Sequence, residues 1–201
     1  MTKGVLMVVS GPSGAGKGTL CKELVERNKD IALSISCTTR ALRGKEVEGI
    51  NYYFISTEEF ESRIENNDFL EYASVYGNYY GTPKWKVLEL IDKGVDVILE
   101  IDIQGALKVK EEYQDGVFIF ILPPSLQELK ERISSRGTDS KEAIIKRMDC
   151  AYEELSYVFK YDYAIVNDYI ENAVDKIEAI IVAEKNKANR QKQLINSIRE
   201  N

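Results

Sequence analysis

The stretch that most constrains this chain is a short apolar run followed by a glycine-rich turn, at residues 5–19. Residues 5–9 read Val-Leu-Met-Val-Val, a run too short and too rich in β-branched side chains for a helix. Residues 10–16 then read Ser-Gly-Pro-Ser-Gly-Ala-Gly, and apolar residues recur at helical spacing after Lys17. The order predicted is therefore a buried strand, a tight loop and a helix.

The loop has the composition of a phosphate-binding loop. Its three glycines lack a Cβ, so the backbone N–H groups can turn towards an anion and the anion can approach closely. The start of the helix adds the positive end of its dipole, and Lys17 adds a mobile charge. An ordinary helix-capping turn is less favoured, because a hydrophobic strand precedes the loop and Lys17 is in place.

The loop departs from the usual pattern at one position. Gly-x-x-x-x-Gly-Lys-[Ser/Thr] is matched through Lys17, but Gly18 stands where a hydroxyl normally holds Mg²⁺. Thr19 is the nearest hydroxyl, so a metal would have to be held differently. The stretch predicts a nucleoside triphosphate site. Its residues are Gly11, Pro12, Ser13, Gly14, Ala15, Gly16, Lys17, Gly18 and Thr19.

The composition limits the remaining possibilities. With 201 residues, 44% hydrophobic and 30% charged, the chain is typical of a single globular domain. A net charge of −6 disfavours a broad basic face for nucleic acid. No apolar run approaches the roughly 20 residues of a membrane span. We expect a cytoplasmic protein without a signal peptide and without a nucleic-acid or membrane partner.

The sequence has no histidine and three cysteines, Cys21, Cys37 and Cys150, none in Cys-x-x-Cys spacing. We therefore expect neither a zinc site nor a catalytic dyad that needs imidazole. Cys21 and Cys150 lie in apolar helical stripes, which predicts that both pack in the core as reduced thiols.

Strand and helix patterns alternate along the rest of the chain. Residues 95–102 form an apolar run that ends in carboxylates, which is how a central parallel strand presents its ligand-facing edge. Residues 31–37 predict one further strand, and residues 69–82 predict a hairpin that turns at residues 77–78. The alternation predicts an α/β fold with a parallel sheet and helices on both faces.

Seven blocks of sequence, taken together and in order, resemble the guanylate kinase family. They lie at residues 10–17, 36–40, 77–82, 100–105, 123–125, 136–138 and 165–168. The resemblance covers about residues 4–185 and implies a P-loop NTPase-type fold in a single domain. It implies a core, a small strand-rich lobe that binds GMP and a lid insertion. Their expected ranges are 1–34, 83–124 and 158–201 for the core, about 35–82 for the lobe and about 125–157 for the lid.

The resemblance implies transfer of the γ-phosphoryl group of ATP to GMP or dGMP, with Mg²⁺. Guanine presents N–H donors at N1 and N2 and an acceptor at O6, so a selective site needs a carboxylate and hydroxyls. Glu71 fits the donor edge, with Asp102 as a candidate second carboxylate, and Ser36 and Thr82 fit O6. Cations and phenols fit the GMP phosphate. These are Arg40, Arg43, Tyr52 and Tyr80.

Phosphoryl transfer to an acceptor that is already anionic needs charge neutralisation and alignment rather than a general base. The resemblance implies that four cations act on the reacting phosphates. These are Lys17, Arg40, Arg136 in the lid and Arg147 in the following helix. Asn167 would border the adenine. Mg²⁺ would be held mainly through nucleotide and water, with Glu100 or Asp102 as the candidate protein ligand.

Two other functions stay open on the sequence. One is a kinase for another nucleoside monophosphate, AMP or dTMP, against which Glu71, Ser36 and Thr82 argue. The other is a guanylate kinase-like module of scaffold proteins, which keeps the fold, loses catalysis and binds phosphorylated partners through the same lobe. Those modules characteristically have a damaged phosphate-binding loop, whereas Lys17 and Arg136 are present here.

Overall fold

The computed structural model describes residues 3–75, 77–134 and 141–200. In chain order, the strands are β1 (Leu6–Ser10), β2 (Ile31–Leu33), β3 (Cys37–Thr38), β4 (Tyr53–Phe54), β5 (Phe69–Val75), β6 (Asn78–Pro83), β7 (Asp96–Glu100), β8 (Val117–Leu122) and β9 (Tyr163–Val166). The α-helices are α1 (Lys17–Arg27), α2 (Thr57–Glu65), α3 (Lys84–Asp92), α4 (Ile103–Glu112), α5 (Leu126–Ser134), α6 (Lys141–Leu155), α7 (Ile170–Lys185) and α8 (Lys192–Arg199). Short 3₁₀ turns occupy Ser156–Lys160 and Ala188–Gln191.

The main sheet consists of five parallel strands in the order β2-β7-β1-β8-β9. The central strand β1 is buried along its whole length, because both faces of the sheet are covered. Met7 and Val9 pack on the face that α1 and α7 cover. Leu6 and Val8 pack on the opposite face, under α3 and α4. The predicted parallel α/β fold is confirmed.

The register of the main sheet sets the position of the site. Val9 in β1 lies directly opposite Glu100 in β7. Parallel strands end at the same edge, so the glycine-rich loop after β1 and Asp102 after β7 leave the sheet side by side. The phosphate-binding loop and the acidic edge, which is the edge of the sheet that carries Glu100 and Asp102, are therefore neighbours, as the sequence predicts.

The small sheet has the order β4-β3-β6-β5, with β3 parallel to β4 and antiparallel to β6. Helix α2 packs on it through Phe60, whose ring stacks on Phe69 and Tyr79 at centroid distances of 4.3 and 5.1 Å. Aromatic burial of this kind gives the small sheet a core of its own, separate from the two clusters of the main sheet.

Two details of the predicted strands are wrong. Residues 31–37 are not one strand, because β2 pairs with β7 in the main sheet and β3 pairs with β4 and β6 in the small sheet. A local pattern of alternating residues cannot indicate which sheet a strand joins. Asn78 is not in the hairpin turn but pairs with Val75, and Gly77, with a φ of 76°, lies in the turn.

The prediction for the cysteines holds for Cys21, which is buried, but is wrong for Cys150, which is exposed on α6. Helix α6 turns Ile144, Met148 and Ala151 towards α5, so residue 150 falls outside that stripe. In the part of the chain that the structure describes, no helix combines the length and the apolarity that a membrane crossing requires.

Candidate active site

Three glycines with positive φ curl the loop between β1 and α1. Gly11, Gly14 and Gly16 have φ values of 143°, 91° and 91°, which residues other than glycine rarely adopt. A Cβ on Gly11 would lie 2.4 Å from the carbonyl oxygen of Ile121, and one on Gly16 would lie 2.4 Å from Nδ2 of Asn167. The loop is therefore held against both β8 and the segment after β9.

Lys17 is the first residue of α1, and its ammonium group folds back onto the loop. Nζ donates to the carbonyl oxygens of Gly11 and Pro12, at 2.6 and 3.1 Å. Burial lowers the pKa of Lys17, while the carboxylates of Glu100 and Glu154 oppose that shift. The bonds to carbonyl oxygens hold the charge beside the loop, where a phosphate would be a stronger acceptor.

The glycine at position 18 leaves room for an acidic side chain. A Cβ on Gly18 would lie 3.3 Å from Oε1 of Glu100, which ends β7. Desolvation raises the pKa of Glu100, and the charge of Lys17 opposes that shift. Asp102 caps α4, its Oδ1 accepting the N–H of Gly105 at 2.8 Å. The departure from the usual loop pattern thus coincides with a carboxylate placed against the start of α1.

An open cavity of about 680 Å³ lies on the other side of the loop. It is lined by Gly16, Thr19, Arg132, Asn167, Asp168, Tyr169, Ile170 and Glu171. Asn167 is 4% exposed and donates from Nδ2 to the carbonyl oxygen of Ala15 at 2.8 Å. Arg132 was not among the predicted site residues, yet it lines this cavity and donates to the carbonyl oxygen of Asn167 at 3.2 Å.

Helix α6 contacts the tip of the loop. Nη2 of Arg147 donates to Oγ of Ser13 at 2.7 Å, although the two residues are 134 positions apart in the chain. One of the two arginines predicted for the lid region is therefore placed at the loop. The other, Arg136, lies outside the described residues.

A second group of predicted residues meets beside the small sheet, around Arg40 in the segment between β3 and β4. This side chain is only 8% exposed, and its guanidinium lies over the rings of Tyr52 and Phe54, at 4.9 and 5.6 Å from their centroids. Nη1 and Nη2 donate to the two carboxylate oxygens of Glu46, at 2.7 and 2.6 Å. This ion pair raises the pKa of Arg40 and lowers the pKa of Glu46 to about 2.

Tyr80 and Arg43 complete this group. The Tyr80 ring contacts Tyr52 edge-on at 6.0 Å, and its phenol also raises the pKa of Arg40. The side chain of Arg43 is exposed, and its backbone N–H donates to Glu46 at 2.9 Å. Three of the four predicted phosphate residues, Arg40, Tyr52 and Tyr80, are therefore brought together, and Arg43 is tied to them through its backbone and Glu46. Sequence reasoning missed Glu46, for which the only signal was an acidic residue in an arginine-containing loop.

The predicted base-recognition residues lie on neighbouring strands. Glu71 and Thr82 are paired in register, and Oγ1 of Thr82 donates to Oε1 of Glu71 at 2.7 Å. Burial raises the pKa of Glu71, and the charge of Asp102 adds to that shift. Continuing the β3–β6 register by one residue places Ser36 level with Thr82.

Glu71 also reaches the main sheet. A Cβ on Gly105 would lie 3.3 Å from Oε2 of Glu71, and Gly105 is the residue whose N–H Asp102 accepts. The carboxylate of the small sheet therefore stands at the start of α4, beside the acidic edge and the phosphate-binding loop.

The match to known proteins covers almost all of this arrangement. Residues 3–184 match the family model described as guanylate kinase. The chain belongs to the guanylate kinase family. A guanylate kinase of Clostridium tetani is 61% identical over 195 residues, which cover 97% of this chain and 93% of that protein. One from Caldanaerobacter subterraneus is 61% identical over 198 residues, 98% of this chain and 96% of that protein.

A solved structure agrees with the sequence relatives. The guanylate kinase of Anaplasma phagocytophilum has a TM-score of 0.74 and 38% identity, covering 98% of this chain and 96% of that one. The phosphate-binding loop, the small sheet and the acidic edge all lie within the matched residues 3–184. The guanylate kinase resemblance seen in the sequence is confirmed at the level of the family.

Proposed function

We propose that this chain transfers the γ-phosphoryl group of ATP to GMP or dGMP, giving ADP and GDP. The observation that carries the proposal is the approach of Glu71 to the start of α4. Glu71 and Thr82 together offer the carboxylate and the hydroxyl that guanine recognition needs, and this approach places them at the same edge of the main sheet as the phosphate-binding loop. Membership of the guanylate kinase family supports the same reaction.

ATP would bind at the glycine-rich loop. Its phosphates would accept from the backbone N–H groups of Gly11 and of residues 13–19 and from Lys17, which would leave the carbonyl oxygens it now contacts. The loop residues involved are Gly11, Pro12, Ser13, Gly14, Ala15, Gly16, Lys17, Gly18 and Thr19. The cavity of about 680 Å³ beside Asn167 would hold the nucleoside.

GMP would bind between the two sheets. Glu71 and Asp102 would accept the N1 and N2 protons of guanine, and the hydroxyls of Ser36 and Thr82 would lie near O6. The GMP phosphate would meet the group around Arg40. Its members are Arg40, Arg43, Tyr52 and Tyr80. Cation–π packing of Arg40 on Tyr52 keeps the guanidinium plane fixed before the phosphate arrives.

The acidic edge fits Mg²⁺. Glu100 and Asp102 supply the oxygen ligands that this ion prefers, and Glu100 stands beside both Lys17 and Gly18. When bound, Mg²⁺ neutralises charge on the phosphates. Across the described ranges, no group of three or more histidine, cysteine, aspartate or glutamate side chains is arranged to hold a metal. We therefore propose that the ion is held mainly by nucleotide and water, with Glu100 or Asp102 behind the water.

Four cations would align the reacting phosphates and neutralise their charge. They are Lys17, Arg40, Arg136 and Arg147, and no general base is needed for an anionic acceptor. Residues 125–157 would close as a lid over a core formed by residues 1–34, 83–124 and 158–201, with the GMP lobe at residues 35–82. Closure would exclude water and so limit hydrolysis of ATP.

The substrates are the partners that this function requires. We propose that the protein works in the cytoplasm on free ATP and GMP, without nucleic acid or membrane.

A comparison of GMP, AMP and dTMP as acceptors, in a coupled assay of ADP release with ATP and Mg²⁺, tests the proposal. We expect GMP to be preferred by a factor of at least about 10², because a guanine site leaves polar groups unpaired with the other bases. A preference for AMP or dTMP would indicate another monophosphate kinase. GMP binding without turnover would indicate the protein-binding module instead.

A further inference from the structure

Two buried hydroxyl groups near the acidic edge make no hydrogen bond of good geometry among the residues that the structure describes. They are Oγ of Ser10, the last residue of β1, and the phenol oxygen of Tyr161, just before β9. Ser10 is 0% exposed, so bulk solvent does not reach its hydroxyl. Buried polar groups in native proteins are nearly always bonded to protein or to an ordered water.

The two hydroxyls lie on the same face of the main sheet. Ser10 is directly opposite Phe120 in β8, and side chains opposite each other in register point to the same face. The Tyr161 ring packs edge-on against Phe120, at a centroid distance of 4.9 Å. Both residues therefore lie beside Phe120, on the side of the sheet that α4 covers.

The surroundings of this pair are acidic. Burial raises the pKa of Tyr161 to about 12; the Ser10 hydroxyl, which is near enough to interact with the phenol, opposes that shift, and the charges of Asp102 and Glu154 add to it. Asp102 leaves the sheet beside the end of β1, as the pairing of Val9 with Glu100 requires. Its Oδ1 accepts the N–H of Gly105, which leaves Oδ2 for another donor.

We propose that Ser10 and Tyr161 bind one buried water molecule, which accepts from the two hydroxyls and donates to Asp102. A buried water makes about three hydrogen bonds to groups that otherwise lack partners, which is the number available here. Ser10 and Tyr161 are then positioning residues: they orient the Asp102 carboxylate and do not touch a nucleotide. This role rests on the proposed function, which places Asp102 at the guanine.

Three variants test the shared water: Ser10→Ala, Tyr161→Phe and the double variant. Each single change removes one hydroxyl and keeps the packing. We expect kcat/KM for GMP to fall about tenfold in each single variant and by no more than about tenfold in the double variant, because all three lose the same water. KM for ATP should stay within about twofold of the wild-type value, since Asp102 faces the acceptor.

Tyr163→Phe is the matched control. The Tyr163 hydroxyl donates to Glu184 at 2.7 Å on the face that α7 covers, away from Asp102. We expect this control to lower the melting temperature and to leave both KM values unchanged. A crystal structure of the wild-type protein should show an ordered water between Ser10, Tyr161 and Asp102, and this readout does not depend on turnover.

Several results would overturn the assignment. One is a kcat/KM for GMP within twofold of the wild-type value in both single variants, and another is a loss in the double variant that equals the product of the two single losses. A third is an equal change in the kinetic constants for ATP and for GMP. The last is a metal ion in the crystal structure where the water is expected. If the wild-type protein makes no GDP, the proposed function fails while the crystallographic water still tests this inference. If the wild-type protein is active and the variants match it, only this inference fails.

Discussion

Arg40 and Glu46 form a two-point ion pair between β3 and β4, with nitrogen–oxygen distances of 2.7 and 2.6 Å. The same carboxylate accepts the backbone N–H of Arg43 at 2.9 Å. One acidic side chain therefore fixes the orientation of one arginine and the backbone of the other. Since both arginines are proposed to bind the GMP phosphate, Glu46 becomes a residue to test.

We expect Glu46→Gln to raise KM for GMP by about tenfold while KM for ATP stays within about twofold. Glutamine keeps the size of the side chain but loses the charge-assisted pair, so Arg40 is no longer held in one orientation. Steady-state kinetics with each substrate varied in turn measures both constants. Tighter GMP binding in the variant would contradict this expectation, because it would mean that Glu46 only competes with the phosphate for Arg40.

The same ion pair predicts a pH dependence of stability. Arg40 lowers the pKa of Glu46 from 4.5 to about 2. The stabilisation is therefore fully present above pH 4.5 and is lost as the pH falls towards 2, because the unfolded chain takes up the proton first. The melting temperatures of the wild type and of Glu46→Gln should differ by a constant amount from pH 8 to pH 5, and this difference should disappear as the pH falls further. A difference in melting temperature that grows as the pH falls would contradict a stabilising ion pair between Arg40 and Glu46.

Glu71→Gln should lower kcat/KM for GMP by about 10²-fold. The amide N–H₂ would face the N–H donors of guanine, which leaves buried donors unpaired. Acceptor kinetics with GMP and AMP measures the effect. Thr57→Val, at an exposed position on α2, is a control that should leave both acceptors unaffected. Unchanged GMP kinetics in Glu71→Gln would remove Glu71 from the site.

Although Glu71→Gln should lower activity, it should raise the stability of the fold at pH 8. Burial raises the pKa of Glu71 above its ordinary value of 4.5, so the ionised carboxylate destabilises the fold at neutral pH. We expect the variant to melt at a higher temperature than the wild type at pH 8. The difference should shrink as the pH falls through the raised pKa and disappear below pH 4.5, where the folded and unfolded states both bind the proton. A variant that melts lower at pH 8 would contradict the sign.

Asn167→Ala should weaken ATP binding and leave GMP binding intact. The change removes the hydrogen bond to the Ala15 carbonyl oxygen and loosens the phosphate-binding loop. We expect KM for ATP to rise about tenfold, with the Kd for GMP within about twofold by calorimetry. Asn186→Ala removes a similar side chain–backbone bond, to the exposed residue Val182 of α7, and should change neither constant. An equal rise of KM for ATP in Asn167→Ala and Asn186→Ala would contradict a specific role of Asn167 in holding the loop.

The sequence was sufficient for features that depend on neighbouring residues. The strand–loop–helix unit around Lys17 follows from hydrophobic pattern and glycine spacing alone. Family resemblance then added the acceptor lobe, and the structure brings Arg40 and Tyr52 together as that resemblance implied.

Contacts between distant parts of the chain could not be predicted in this way. Arg147 meets Ser13 across 134 positions, and Asn167 meets Ala15 across 152. Such pairs depend on how α6 and β9 are placed, which no local pattern records. The same limit explains why the alternating pattern of residues 31–37 wrongly predicts one strand: the pairing partners of β2 and β3 decide which sheet each strand joins.

The most direct test of the account is the formation of GDP from GMP, ATP and Mg²⁺ by the wild type and by Lys17→Ala. Lys22→Ala, whose side chain is 76% exposed on the same helix, serves as the control. We predict GDP from the wild type and the control, and a loss of more than about 10²-fold in kcat for Lys17→Ala with the Kd for GMP within about threefold. No GDP from the wild type would contradict the account. Turnover of Lys17→Ala within tenfold of the wild type, less than about 1.4 kcal/mol of transition-state stabilisation, would contradict the role of Lys17.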